Sequence, residues 1–576
     1  MAKPLVIKNG WVFDPLNGVE GERMDVAIEG GRVVEKVDES KARVIDASGM
    51  VVFPGGVDVH THVAGAKVNK GRLFRPEDHY KDPVTRGRVT RAGSGYSVPS
   101  TYVTAYRYAQ MGYTTVNEPA VPPLKARHTH EEFMDMPILD KTCMPVFGNN
   151  WFVLQYVREK EYDKLAAYVA WLLKATRGYA IKIVNPGGVE NWAWGRNCES
   201  LDDHVDYWDV TPRDILTGLS AANEILGLPH SIHVHGNNLG HPGNGAYTIK
   251  THELLEDVRP HSGRETVMHT THCQFNCYGG SNWRDFCSYA TEVANYVNSH
   301  PQFTIDAGQV IFTDTTTMTG DGPWEFALHH LTGTSVWGAK PGLKWINGQV
   351  EGECGSGVVP YIFKPKNPVN AVQWAIGLEL MLLVKDPWRV FLTTDHPNGG
   401  PFTFYPLIVR WLMSAKTRQE WIEKRVAATV QSKTTLASID REYTLEEVAV
   451  VTRAGMAKAL GLERTKGHLG VGADGDVAVY RLTPETTDPH AIEKAFTAAA
   501  YTVKEGEVVV KDGEVVAAPM GRTIWTDATG TVAPDLMETV LREVRDAWYM
   551  RYSVNFNNYP VTSHYLPREA VVRPLA

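Results

Sequence analysis

Phe53-Pro-Gly-Gly-Val-Asp-Val-His-Thr-His62 decides how this chain is read. It is an apolar run that ends in two histidines one residue apart. Side chains two positions apart on a β-strand point to the same face, so His60 and His62 can reach one metal ion from a strand's end. Two polar residues at a strand terminus would look the same, so the surroundings carry the decision. Upstream, Val6-Ile-Lys-Asn-Gly10 and Asp25-Val-Ala-Ile-Glu-Gly-Gly-Arg-Val-Val34 alternate short strands with glycine turns and feed straight into the pair.

The chain has 576 residues, with 43% hydrophobic and 22% charged side chains, the composition of a globular protein with a large core. Length alone leaves the domain count open, because α/β barrels run past about 250 residues as one unit. A net charge of −8 is mild for this length and favours neither nucleic acid nor an anionic membrane as main partner. Residues 1–10 enter a strand pattern directly, so no secretory signal is expected, and no apolar run is long enough to span a bilayer. Six dilute cysteines without a Cys-x-x-Cys argue against a disulfide framework or an iron–sulfur cluster, and the reducing cytoplasm is the expected compartment.

Residues 1–52 read as short strands broken by glycine turns. In the long middle, Thr114-Thr-Val116, Ala180-Ile-Lys-Ile-Val184, Ser231-Ile-His-Val-His235, Thr266-Val-Met-His269 and Val390-Phe-Leu-Thr-Thr394 are separated by helix-length segments, which argues for a parallel α/β unit over 53–442. Tyr443 to Gly461 follows a helical pattern, with Thr444 as N-cap, Glu447 as its capping-box partner and Gly461 as the stop. Strands return at Gly472–Tyr480 and Glu505–Val516. Two β-rich ends around an α/β middle predict a composite β-domain built from 1–52 and 443–530. Residues 531–576 form an extension whose aromatic residues, Trp548, Tyr549, Tyr552, Phe556, Tyr559 and Tyr565, could cover a partner or pack on their own chain.

This order of strands, His-x-His and α/β middle resembles the amidohydrolase superfamily, and the resemblance directs the search for metal ligands to the C-terminal ends of barrel strands. Lys182 lies between Ile181 and Ile183. An ammonium held in an apolar strand must lose its proton or find a partner. A neutral amine can add carbon dioxide to give a carbamate, an anionic bridge between two metals. Ser231-Ile-His233-Val-His235-Gly and Met268-His269-Thr-Thr-His272 offer two histidines each. His235 and His269 are preferred as ligands from their places at strand ends, and His233 and His272 are the alternatives or supporting residues. Phe391-Leu-Thr-Thr-Asp395 is a short apolar strand ending in an acid that can bind metal and carry a proton.

Longer motifs narrow the resemblance. Gly56 to Arg72, Arg75-Pro-Glu-Asp-His79, Ile183-Val-Asn-Pro-Gly-Gly188, Thr271-His-Cys-Gln-Phe-Asn276, Thr393-Thr-Asp-His-Pro-Asn-Gly-Gly-Pro-Phe402 and Arg441-Glu-Tyr-Thr-Leu445 are similar to the amidohydrolase-like subunit of formylmethanofuran dehydrogenase and to the hydrolase subunit of the bacterial formyltransferase/hydrolase complex. The resemblance implies a distorted TIM barrel with two zinc ions held by His60, His62, carboxylated Lys182, His235, His269 and Asp395, with Asp395 also transferring protons. It implies hydrolysis or formation of an N-formyl amine on methanofuran or methylofuran, with formate as the acid, inside a multi-subunit assembly with a formyltransferase-like partner. Because such carriers have acidic tails, Lys67, Lys70 and Arg72 become candidate substrate contacts, with Asn398 on the wall of the site. Surface composition, poorer in Lys and Ile than hyperthermophile proteins, leans towards the bacterial hydrolase. A cyclic amidohydrolase of the dihydropyrimidinase or dihydroorotase type and a metal-free scaffold subunit are the alternatives.

Overall fold

The computed structural model describes residues 3–261, 263–333, 346–347 and 357–574. β1 (Leu5–Asp14) and β2 (Val19–Glu29) form an antiparallel hairpin, joined through Gly18 at φ 69°, a left-handed turn conformation that glycine adopts without a Cβ clash. β3 (Arg32–Val34) pairs with β2, whereas β4 (Arg43–Asp46) and β5 (Val51–Pro54) lie parallel to β1. Leu5, Ile7, Val12, Val26, Ile28 and Val52 fill the core of this sheet.

The chain then turns from β5 into β6 (Gly56–Asp58) at Gly55-Gly56. A Cβ on Gly55 would fall 2.3 Å from Thr114 Oγ1, and one on Gly56 would fall 2.5 Å from the Tyr113 ring, so only glycine lets the backbones meet here. β6 is followed by β7 (Tyr113–Val121), β8 (Asp140–Pro145), β9 (Lys182–Val184), β10 (Ile232–His235), β11 (Met268–Thr270), β12 (Phe303–Asp306) and β13 (Val390–Phe391). Every neighbouring pair within β6–β8 and within β9–β13 is parallel. Single parallel bridges, Val146 to Lys182 and Thr61 to His396, join the two halves. Eight strands in chain order thus close on themselves, a distorted parallel barrel. Lys182, His233, His269 and Thr304 stand side by side across β9–β12. Paired residues of parallel strands face the same way, so these four share one layer of the interior, with His235 and Asp306 one layer above.

The C-terminal strands complete the first sheet. β14 (Val477–Tyr480) runs antiparallel to β5 and carries β15 (Tyr501–Lys504), β16 (Glu507–Lys511) and β17 (Glu514–Val515). Residues 5–54 and 477–515 therefore share one nine-stranded sheet, joined at the strand that leads into His60. At its junction with the barrel, Lys466, Lys504 and Arg522 are matched by Asp140, Asp474 and Asp476 in a buried cluster, with Lys466 Nζ 2.5 Å from Asp140 and 2.6 Å from Asp476. The three cations fill the space between the aspartates, so this acidic group is an ion-pair lock and not a metal site.

Two expectations need correction, and an alternative left open by the sequence is decided. The Tyr443–Gly461 helix has the expected capping box at Thr444 and Glu447 and ends at Gly461 with φ 70°, but residues Val450–Ala454 form a π-helical turn. That wider turn accompanies the buried guanidinium of Arg453, which donates to Pro54 O and Tyr480 Oη. Residues 523–530 do not join the composite sheet: β18 (Thr523–Thr526) pairs with β8 and with β19 (Glu569–Val572), both parallel. The aromatic tail packs mainly on its own chain. Trp548, Tyr552 and Tyr559 are buried, with rings against Trp151, Phe152 and one another, and only Tyr549 is strongly exposed.

Candidate metal centre

His60 and His62 leave the end of β6, and Asp395 lies beyond β13 in the left-handed region at φ 49°. All three are buried. His60 Nε2 lies 3.0 Å and His62 Nε2 3.3 Å from Asp395 Oδ1. His60 Nε2 and Asp395 Oδ2 make no hydrogen bond, although neither reaches water. Buried donors and acceptors are rarely left so, and two imidazoles and a carboxylate converging with an orphaned atom apiece on two of them fit a cation between them.

The other ring nitrogens are fixed from behind. His62 Nδ1 donates to Glu118 Oε1 at 2.9 Å, and Glu118 Oε2 accepts the backbone N–H groups of Val63 and Ala64. His60 Nδ1 meets His233 Nε2 at 2.9 Å, and His233 Nδ1 meets His230. His235 Nε2 donates to Asp321 Oδ2 at 2.9 Å, and Asp321 Oδ1 accepts from Asn185. His233 is thus spent on other histidines, whereas His235 stands at the mouth, its ring 4.8 Å from that of His272.

For His269 the geometry departs from the expectation. Its Nδ1 pairs with Thr304 Oγ1 and its Nε2 with Asp306 Oδ2, both at 3.0 Å. His272, in a left-handed turn at φ 35°, keeps Nδ1 without a partner, and its ring lies 5.2 Å from that of His60. A strict strand alternation turns His272 away from the site; the chain instead leaves β11 at Thr270, and the turn swings the ring back.

Lys182 is fully buried, and among the described residues its Nζ hydrogen-bonds only to Thr271 Oγ1, at 3.4 Å. Burial lowers its pKa to about 7, with Asp395 and Asp306 acting in the other direction. The same burial, reinforced by nearby Lys182, holds His60 and His233 well below the ordinary imidazole range, so their rings are neutral, the form that binds metal. Burial opposes a charged His62, but Glu118 and Asp395 outweigh it and raise its pKa. Burial also raises Asp395, against the pull of His62.

Asp395 and Asn398 end a cavity of about 340 Å³ walled by Phe275, Trp283, Trp324, Tyr361 and Phe363. Asn398 donates to Asp395 Oδ1 at 2.7 Å and accepts from Met318 N, so it orients the aspartate while lining the cavity. Arg72 is not free for a substrate: its guanidinium is spent on Glu132, Val63 O and Pro99 O. Lys67 is 4% exposed, which removes it from the reach of an acidic tail in solvent. Sequence reasoning misses Glu118, Asp306, Asp321 and Thr271. Glu118 and Asp306 share a usable signal, an acid near the end of an apolar run, the one that also exposes Asp395.

A family model described as the amidohydrolase family matches residues 43–510. Protein FwdA of Methanocaldococcus jannaschii is 55% identical over 571 residues, covering 99% of this chain and 98% of that protein. FhcA, of the formyltransferase/hydrolase complex Fhc of Methylorubrum extorquens, is 39% identical over 90% of this chain and 91% of its own length. A chain in the crystal structure of the FhcABCD complex from Methylorubrum extorquens with methylofuran superposes with a TM-score of 0.88, at 36% identity and 100% coverage of both chains. The family match spans the barrel and part of the composite sheet, and the relatives match over nearly their whole lengths; the chain belongs to the amidohydrolase family, in the group that holds FwdA and FhcA.

Proposed function

We propose that this chain is a dinuclear zinc amidohydrolase that interconverts an N-formyl amine of the methanofuran or methylofuran type with formate and the free amine. The observation that carries the reading is the convergence of His60, His62 and Asp395 beside a buried lysine whose pKa of about 7 leaves much of it neutral. One zinc would be held by His60, His62 and Asp395, and a second by His235 and a histidine of the β11 end, with a carbamate on Lys182 between them. At that last position His272 offers an unpartnered nitrogen, whereas His269 would exchange its bond to Asp306 for the metal. Zinc content of His269→Ala against His272→Ala separates the two. The metals, when bound, would polarise the formyl carbonyl and make hydroxide available near neutral pH.

The chain's own residues do the rest. Asp395 takes the proton of the attacking water and passes it to the amine nitrogen as the C–N bond breaks. Asn398 holds Asp395 in the orientation that allows both transfers. Glu118 and Asp321 fix the tautomers of His62 and His235 by accepting from the nitrogen that faces away from the metal, as carboxylates behind zinc-bound histidines do. The aromatic cavity offers flat apolar walls to the furan end of the carrier and keeps bulk water off the amide.

Both net directions use this one set of residues, so direction depends on what supplies or removes formate. The lean of surface composition towards the bacterial hydrolase gives way to the identities, 55% to FwdA against 39% to FhcA, which favour a subunit of the formylmethanofuran dehydrogenase type. An assembly partner is part of the proposal, supported by the complex in which the structural relative was solved. Among the described residues all five cysteines are free, in keeping with a reducing cytoplasm, and no helix is long and apolar enough to cross a membrane; Cys354 lies outside the described residues. Turnover of N-formylmethanofuran against hydantoin and dihydrouracil tests the substrate class. Formate release from the first with no opening of the rings supports the reading, and ring opening alone overturns it.

A further inference from the structure

α1 (Ala66–Phe74) starts four residues past His62 and is fixed to the metal residues by two carboxylates. Glu118 accepts from Val63 N at 2.7 Å and Ala64 N at 3.0 Å, and Glu132 accepts from Gly65 N at 2.8 Å. The second residue of the helix, Lys67, is therefore held close to the centre. Its side chain is 4% exposed, and its Nζ, shut off from water, has no hydrogen-bond partner among the described residues. Burial strips an ammonium of its hydration, so an unpartnered one is unfavourable unless something else occupies the site in the working protein.

The charges around Lys67 narrow what that is. Its charge is felt by both Lys182 and Glu325. The Glu325 carboxylate is engaged by the backbone N–H groups of Gly320 and Gly357 and forms no ion pair with Lys67. Of the other cations of this segment, Lys70 is only half-buried, and Arg72 and Arg75 are spent on Glu132 and on Asp78 and Asp314. The described wall of the aromatic cavity carries no lysine or arginine, and its polar end is the carboxylate of Asp395. A small carboxylate anion held beside the metals leaves oxygen lone pairs for a charged donor, and Lys67 is the buried cation of this segment without a partner among the described residues.

We propose that Lys67 is the carboxylate anchor of the site, a buried ammonium kept bare to hold formate, the acid half of the amide, beside the metal residues. The inference rests on the proposed function. In the hydrolytic direction Lys67 receives the product as the C–N bond breaks; in the condensing direction it binds formate before the amine arrives.

The test compares the zinc-loaded wild-type chain with Lys67→Met, Lys67→Gln and Lys67→Arg, measuring zinc content, inhibition by sodium formate and [13C]formate binding by NMR line broadening. Removing a bare buried charge in favour of an apolar chain of similar length is commonly neutral or stabilising, so Lys67→Met should keep its melting temperature. Lys67→Gln covers the case in which it does not. A hydrogen bond to a charged group accounts for roughly a ten- to hundredfold change in affinity. The formate inhibition constant should rise by about that factor in the Met and Gln variants and recover in part in Arg, with zinc content unchanged. Unaltered formate binding in Lys67→Met and Lys67→Gln overturns the inference alone. Loss of zinc parallel to that in Lys182→Ala also overturns it, making Lys67 a support for Lys182. A wild-type protein that binds no formate and hydrolyses no N-formyl amine overturns both readings.

Discussion

At the scale of single residues, Lys182 and Asp395 carry opposite consequences of the same burial. Removal from water lowers the lysine and raises the aspartate. A lysine at about 7 is mostly ammonium below that pH and mostly amine above it. Only the amine adds carbon dioxide, so zinc loading of the metal-free chain should require bicarbonate and should fall off as pH drops below about 7. Lys182→Ala should lose most bound zinc and regain part of it with a small carboxylic acid; near-normal zinc in that variant, measured by atomic absorption, would refute the bridge. Asp395→Asn keeps the shape and removes the proton carrier. Its kcat should fall by roughly 10²–10⁴-fold, the usual worth of general acid–base transfer, while zinc content drops far less than in Lys182→Ala. A rate within a few-fold of wild type would remove Asp395 from the mechanism. These residues are legible in sequence because each lies in or ends a short apolar run. Glu118 and Asp306 end such runs as well and still escape notice, since nothing in one dimension shows which histidine a carboxylate will stand behind. The choice within Met268-His-Thr-Thr-His272 is illegible for a different reason: it turns on a left-handed backbone at His272, a conformation uncommon for any residue but glycine.

At the scale of elements, the tail is where sequence pattern and packing part company. Its aromatic spacing reads equally as a partner surface or as core, and what decides is the neighbouring layer, α2 (Trp151–Glu159) and α3 (Tyr162–Thr176), over which α4 (Pro534–Arg551) is laid. Trp548 is fully buried there, its indole N–H donating to Val554 O. Trp548→Ala should destabilise by about 3–5 kcal/mol, the usual cost of emptying a large aromatic site. Thermal unfolding would show it as a lowered midpoint, and an unchanged midpoint would mean that the tail is not part of the core. By contrast, the Thr444 and Glu447 capping box can be read directly, because a cap is local and its residues span four letters. The strands Thr523–Thr526 and Glu569–Val572 show the limit: four-residue strands with no local partner reveal their sheet only once β8 is in place.

At the scale of the whole molecule, the N-terminal strands and the 477–515 strands meet in one sheet at the strand that leads into His60, and the barrel closes over a bridge between Thr61 and His396, the neighbours of the metal residues. Fold closure and site assembly therefore share the same few residues, and the ligands come together only when the barrel is complete. As proposed, this closed barrel is a two-zinc amidohydrolase acting on an N-formyl amine. Adding zinc to the metal-free chain in bicarbonate buffer and following formate release from N-formylmethanofuran tests this. Release should be negligible without metal, then rise and level off at two equivalents of zinc per chain. Full release from the metal-free chain, or none at any zinc content, would contradict the proposal.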